Sequence, residues 1–232
     1  MTDTAAKFDA RAHEYQLQSR IALAGYDACH ELTACMLAAK LGSGSSAHVL
    51  VAGAGGGARE VLTAGALEPG WRFTAVDPSQ AMMDIAVTAI DAAGLLGRTS
   101  TKLGTVDDLP SEAVFDAATL IGVLHHVPGD AGKLALLRSI SSRMKPGAPL
   151  VLAGNRLAYE DHQLLLTAWG ERWRMMGASP SEVEAKLGKI LQGADPPASE
   201  AEVERLLTAG GFGNPTWFFS SLFWGACLAS RR

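Results

Sequence analysis

The chain has 232 residues, 48% of them hydrophobic and 19% charged, which suits one sizeable domain with a small appended cap and excludes a disordered chain. Its net charge of −4 and pI near 5.9 give no general attraction to nucleic acid or to an anionic membrane surface. No apolar run reaches the ~20 residues that span a bilayer, and Met1-Thr2-Asp3-Thr4 lacks a secretory pattern, so no membrane partner and a cytoplasmic location are expected.

Residues 7–41 read as helical, with Ile21, Leu23, Ala24, Leu32, Met36 and Leu37 as apolar positions and Gly42-Ser43-Gly44-Ser45-Ser46 as the closing loop. A helical prelude to the first core strand can serve as a lid, with Tyr15, Arg20 and Tyr26 as its polar candidates. Cys29, Cys35 and Cys227 have no paired ligand spacing, so neither a disulfide nor a metal site is expected.

The apolar run His48–Ala52 then stops at Gly53-Ala54-Gly55-Gly56-Gly57, and a helical pattern resumes at Glu60, Val61 and Leu62. That is a buried strand, a tight turn and a first helical turn. Glycine lets the backbone take φ > 0 and lets a ligand approach closely, while the helix aims unpaired N–H groups at it. The next strand, 71–77, ends in Asp77, an acid ~20 residues beyond the turn, where ribose hydroxyls can be gripped. A nucleoside-containing cofactor is the reading of this pair.

Asp77-Pro78-Ser79 stops the strand and caps a helix over 79–93. Met82 and Met83 on it suit either a flat base or the core. After a third strand at 99–104, Thr105 and Val106 stand where a side chain and a backbone N–H could read an adenine edge, with Asp108 as a turn carboxylate. A fourth strand over 114–120 leads into Ile121-Gly122-Val123-Leu124-His125-His126, whose adjacent histidines at a strand end are acid/base candidates, His125 first.

A helix over 131–144, the turn Lys145-Pro146-Gly147 and a fifth strand over 148–154 follow. Strands alternating with helices argue for a parallel sheet covered on both faces, with ligands beyond its carboxyl edge. Residues 157–192 read as helices concentrating Trp169, Arg172, Trp173, Met175 and Met176, either a substrate cap or a homodimer contact. Ser199 and Glu202 form a capping box for a helix reaching Ala209, and Gly210-Gly211-Phe212-Gly213 ends it. Segments around Trp217-Phe218-Phe219 and Phe223–Ala229 read as an antiparallel pair closing the sheet.

Five segments in this order, Val49–Gly57, Phe73–Met83, Gly104–Pro110, Phe115–Val127 and Met144–Ala153, make the chain resemble class I S-adenosylmethionine-dependent methyltransferases. The Leu-His-His-Val run, the Lys-Pro-Gly turn and the Ala-Gly-Gly-Phe near residue 212 are typical of that group. The resemblance implies an α/β, Rossmann-like, seven-stranded, mostly parallel sheet with an antiparallel terminal strand and helices on both faces. It implies a single domain over 1–232, with an N-terminal helical lid at 1–46, a cofactor-binding core at 47–156, a helical cap at 157–197, and the last helix and terminal strands at 198–232.

By position, Gly53, Ala54 and Gly55 are expected along the methionine half of S-adenosyl-L-methionine, and Asp77 with Pro78 at the ribose. Met82 would flank adenine, Thr105 and Val106 meet its edge, and Leu120 and Ile121 lie beside the sulfonium. Val51 stands where the family usually has an acid, and Thr105 where it often has an aspartate.

Phe8-Asp9-Ala10-Arg11, Gly25-Tyr26, Trp217-Phe218-Phe219 and Phe223-Trp224-Gly225 also look like the carboxy-S-adenosylmethionine synthase group, which makes a carboxylated cofactor for tRNA wobble-uridine modification. That group grips the added carboxylate with a cap arginine, and residues 182–190 carry only Lys186 and Lys189. The expected activity is methyl transfer to an O, N or C acceptor on a small molecule, leaving S-adenosyl-L-homocysteine. His125, Tyr15 and Tyr159 are proton-accepting candidates, Arg20 a candidate for the cofactor carboxylate, and Arg156 or Arg172 for an acidic substrate beside Trp169 and Trp173. A carboxy-cofactor synthase, a methyltransferase acting on RNA, and a cofactor-binding protein without turnover are the alternatives.

Overall fold

The computed structural model describes residues 15–232, with side chains from Leu17 onward. Helices α1 (Tyr15–Ala22) and α2 (Tyr26–Leu41) precede strand β1 (His48–Ala52). Then come α3 (Arg59–Leu67), β2 (Arg72–Asp77), α4 (Gln80–Ala92), β3 (Thr99–Leu103), β4 (Ala117–Ile121), α5 (Gly129–Arg143) and β5 (Pro149–Asn155). The chain continues through α6 (Gln163–Met175), α7 (Pro180–Gly193) and α8 (Glu200–Ala209) to β6 (Thr216–Ser221) and β7 (Trp224–Ser230).

The seven strands form one sheet in the order β3-β2-β1-β4-β5-β7-β6. Strands β1 to β5 pair in parallel, and β7 runs antiparallel to both β5 and β6. Each parallel connection crosses over through a helix or a longer loop, since parallel neighbours cannot be joined by a tight hairpin. The strand order reverses between β1 and β4, so the carboxyl ends of these two strands open the crevice where such sheets bind ligands.

Side-chain alternation splits the core between the two faces. Leu50 and Ala52 of β1 pack with Leu120, Leu137, Ile140, Leu150, Leu206 and Phe212 on one face. Val49 and Val51 pack with Val61, Phe73, Ala86 and Ile90 on the other. A buried residue of this size contributes about 1.5–3 kcal/mol by leaving water. A smaller cluster of Ile21, Tyr159, Trp169, Trp173 and Phe223 joins α1, α6 and the turn between β6 and β7.

The helix expected over 7–41 is divided. Gly25, at φ +84°, turns the chain between α1 and α2, and a Cβ there would meet the Phe219 ring at 3.3 Å. Residues 7–14, with Phe8-Asp9-Ala10-Arg11, lie outside the described residues. The fourth strand begins at Ala117, with Phe115 making one isolated bridge to Met144. Ser199 caps α8 by accepting from the Glu202 amide at 3.2 Å, but the Glu202 carboxylate takes Arg205 instead of closing the box. The reciprocal box occurs at α7, between Ser179 and Glu182. No described helix is long and apolar enough to cross a membrane.

Candidate functional site

At the carboxyl edge of β1 the backbone swings through Gly53 at φ +79° and Gly55 at φ +57°. At Gly53 a Cβ would stand 2.3 Å from a methyl of Val123, so only glycine fits both the conformation and the space. The Gly53 and Ala54 amides donate to the Val76 carbonyl at 2.8 and 3.0 Å, and the Gly55 amide donates to the Asp77 carboxylate at 2.9 Å. The other Asp77 oxygen accepts from the Ser79 amide at 2.9 Å.

Over this turn lies a cavity of about 360 Å³. Its floor is the backbone of Gly53–Gly57 with Ile121 and Gly122 after β4. Tyr26 and His30 of α2 close one side, and Trp169, Trp173, Lys186 and Lys189 of α6 and α7 close the other. Lys186 lies 4.5 Å over the Trp173 ring and donates to Gln18 at 2.9 Å, which joins α7 to α1 across the mouth.

His125, His126, Asn155 and Tyr159 share the remaining wall. His125 is 4% exposed, its Nδ1 has no hydrogen-bond partner, and its edge faces Trp224 with centroids 5.4 Å apart. Burial, with smaller contributions from His126 and Lys133, pushes its pKa well below the ordinary value and keeps the imidazole neutral. The Tyr159 hydroxyl accepts from the Asn155 amide at 2.7 Å, and burial pushes the phenol pKa up, so the neutral hydroxyl persists. Asn155 Oδ1 has no partner.

A second polar corner was not among the sequence candidates. Glu60, in the first turn of α3, is 7% exposed on the cavity wall, and burial pushes its carboxyl up to about 7. His30 faces it from α2, with Nε2 3.9 Å from Glu60 Oε2. An acid directly after a glycine turn was the available signal, but first-turn acids ordinarily sit in solvent beside the helix dipole.

The expected site residues divide. Gly53, Ala54, Gly55, Ile121, His125, Tyr159, Trp169 and Trp173 meet at the cavity. Asp77, Pro78, Met82, Thr105, Val106 and Leu120 are not on its wall. Met82, Val106 and Leu120 are core residues at 2%, 4% and 0% exposure, and Val106 and Leu120 pack in the same core cluster as Leu50 and Ala52. Thr105 is exposed, its amide and hydroxyl both held by Asp108.

Three arginines expected at the cofactor or the substrate have protein partners. Arg20 pairs with Asp27 at 2.7 Å and lies 4.9 Å over Tyr26, off the cavity wall. Arg156 is buried, with Nε on Glu200 at 2.8 Å and the other nitrogens on Ser220 and the carbonyls of 222–224, so it clasps β7 instead of facing a substrate. Arg172 bonds the Ile21 and Arg20 carbonyls and tethers α6 to the end of α1. Trp169 and Trp173, at 2% and 4% exposure, are unavailable to a dimer contact. Tyr15 opens α1, and its side chain lies outside the described residues.

Residues 50–150 match a family model described as a methyltransferase domain. No curated protein matches the chain. Among solved structures, the 1,6-didemethyltoxoflavin-N1-methyltransferase of Burkholderia thailandensis, bound to 1,6-didemethyltoxoflavin and S-adenosylhomocysteine, superposes with a TM-score of 0.66 at 21% identity over 98% of this chain and 87% of its own. Human N-acetylserotonin methyltransferase in complex with SAM gives 0.64 at 18% identity over 97% and 57%. The riboflavin-analogue dimethyltransferase RosA of Streptomyces davawensis gives 0.60 at 18% over 98% and 62%.

This is a class I methyltransferase fold.

The chain spans only about 57–62% of the length of several of these longer structures. A methyltransferase domain draws on S-adenosyl-L-methionine, and the cavity suits that group. Its floor is bare backbone, and four of the seven buried side-chain atoms without a partner among the described residues belong to wall residues: Arg59 Nε, His125 Nδ1, Asn155 Oδ1 and Trp173 Nε1. Buried polar atoms ordinarily find partners, so this concentration marks where a ligand supplies them.

Proposed function

We propose that the chain is an S-adenosyl-L-methionine-dependent methyltransferase acting on a small molecule with an O, N or C acceptor atom, leaving S-adenosyl-L-homocysteine. The observation that carries the reading is a single cavity walled by the glycine-rich turn on one side and by Trp169, Trp173 and Tyr159 on the other. Its volume of about 360 Å³, closed over by α1, α2, α6 and α7, suits a small molecule better than a macromolecule. Residues 1–46 then act as lid, 157–197 as cap, and 47–156 as cofactor core of one domain.

The cofactor supplies an already activated methyl group when bound. The protein's contribution is to align an acceptor in a site shielded from water. Ile121 and Gly122 set the floor under the reacting atoms, and the two tryptophans hold a flat substrate against them. The neutral His125 lies on the cavity wall, where an imidazole can accept a proton from a hydroxyl or ammonium acceptor. Tyr159 and Asn155 offer a paired hydroxyl and carbonyl for orienting it.

Asp77 supports the ribose assignment by position at the end of β2, although its carboxylate already receives two backbone amides. The test is mass spectrometry of ligand that co-purifies with the protein, followed by incubation with S-adenosyl-L-methionine and a panel of aromatic hydroxyl and amine acceptors. Formation of S-adenosyl-L-homocysteine with a methylated acceptor is expected. A carboxylated nucleoside in the purified protein, with no methylated product, would replace this reading by that of a carboxy-cofactor synthase.

A further inference from the structure

The cavity has one carboxylate among its described lining residues, and the methyl transfer outlined above does not use it. Glu60 is buried and lines the cavity from the first turn of α3. Opposite it, His30 Nδ1 lies 2.8 Å from the Tyr26 carbonyl oxygen. A carbonyl can only accept, so Nδ1 carries the proton and Nε2 is left as an acceptor. Burial, the largest influence on His30, holds its pKa below the ordinary value and keeps this neutral form.

Nε2 and Glu60 Oε2 are 3.9 Å apart. That is too far for one hydrogen bond between them, and near enough for a single nitrogen at ~2.9 Å to reach both. Two buried acceptors converging on one point suit a donor with several N–H bonds and a positive charge. Next to them, Arg59 lines the cavity with its Nε buried and unpartnered, while its NH2 is held by Asp27 at 3.0 Å. The corner therefore offers acceptors for a cation and, one residue along the helix, a donor for an anion.

We propose that Glu60 and His30 bind the α-ammonium group, and Arg59 the carboxylate, of an amino-acid-bearing ligand. This rests on the reading of the cavity as a cofactor site, in which the ligand is the methionine end of S-adenosyl-L-methionine. Val51 is fully buried beneath the sheet surface and carries no charge, so it takes no part.

Around Glu60 the charged and titratable groups are Arg59 on its own turn, Asp27, Cys29 and His30 on α2, and Asp77 at the end of β2. Burial holds the carboxyl up at about 7, so near neutral pH it is partly protonated in the free protein. A bound ammonium favours the carboxylate, so uptake of the ligand releases a fraction of a proton.

The test is titration calorimetry on the full chain with S-adenosyl-L-homocysteine, with its analogue lacking the α-amino group, and with 5′-methylthioadenosine, which has no amino-acid end. Glu60→Gln is expected to weaken S-adenosyl-L-homocysteine at least tenfold, to leave 5′-methylthioadenosine unchanged, and to abolish the proton release seen as a buffer-dependent enthalpy. Wild-type protein is expected to bind the deaminated analogue at least tenfold more weakly than S-adenosyl-L-homocysteine. Equal affinity of wild type for those two overturns the proposal whatever the stability of the variant, and so does unchanged S-adenosyl-L-homocysteine affinity in Glu60→Gln. Wild type that takes up none of the three nucleosides overturns the cofactor reading itself, and this proposal with it.

Discussion

The Gly55 amide donates to the Asp77 carboxylate at 2.9 Å, tying the tip of the glycine-rich turn to the end of the neighbouring strand. Ser79 donates to the other oxygen at 2.9 Å, so one side chain sets both the turn and the start of α4. Replacing it by alanine leaves two amides without their acceptor. Asp77→Ala is expected to lose about 1–3 kcal/mol of stability by denaturant unfolding. It is also expected to bind S-adenosyl-L-methionine much more weakly by calorimetry. Asp77→Asn, which keeps one acceptor, should fall between.

Gly154 lies under the His125 ring, where a Cβ would stand 2.8 Å from Nδ1. Gly154→Ala is expected to displace the imidazole and lower kcat, with cofactor affinity nearly unchanged. His125→Gln should cost about a hundredfold in kcat if the imidazole is the general base. The pH dependence has a definite sign. The folded pKa of His125 is depressed, so its neutral form is stable above ~6.5, the unfolded value. The stability it contributes is lost as pH falls from there toward the lowered folded value. The acid limb of kcat is therefore expected below pH ~6.5, and a limb above it would remove His125 from the base role.

Arg156 separates structure from substrate recognition. Its guanidinium spans Glu200, Ser220 and the carbonyls of 222–224, and a Cβ on Gly225 would meet Arg156 Cδ at 2.4 Å and Nε at 2.6 Å. Arg156→Lys cannot reproduce that planar fork and is expected to cost about 2 kcal/mol in thermal unfolding. Acceptor KM should stay within twofold of wild type. A large KM change without loss of stability would restore the expectation that this arginine meets the substrate.

Asp195, just after α7, fastens the helical insertion to the core. Its carboxylate takes the buried Lys133 ammonium at 2.6 Å and the Gly129 amide at 2.7 Å, and its own amide donates to the His125 carbonyl at 2.7 Å. The Asp195 side chain is 55% exposed, so solvent screens the pair, and Asp195→Asn is expected to cost about 1–2 kcal/mol. The Lys133 hydrogen bond, with the Gly129 amide, lowers the Asp195 pKa. A depressed carboxyl contributes stability above its unfolded value near ~3.9 and loses it as pH falls through the folded one. The stability difference between wild type and Asp195→Asn, followed by urea midpoints, should shrink below pH ~4.

Much of the architecture follows from local sequence. The run Val49–Ala52 ending in glycines, Asp77 before a proline, and strands alternating with helical stretches leave a wound parallel sheet as the arrangement that buries those faces. The same periodicity places Gly53, Gly55, Ile121 and His125 at one edge, because strand ends and turns are local features. Side-chain partners are not local. Arg156 meets Glu200 from 44 residues away and Arg172 reaches the end of α1 from about 150, so long cations that look available in sequence are consumed by carbonyls that tertiary packing brings to them. Glu60 and His30 lie on separate helices, and burial alone makes two ordinary surface residue types into a polar corner of the cavity. Hydrophobic periodicity and glycine geometry act within a few residues and are written in the chain. Desolvation and hydrogen-bond competition depend on which segments fold against each other, and only the folded protein decides them.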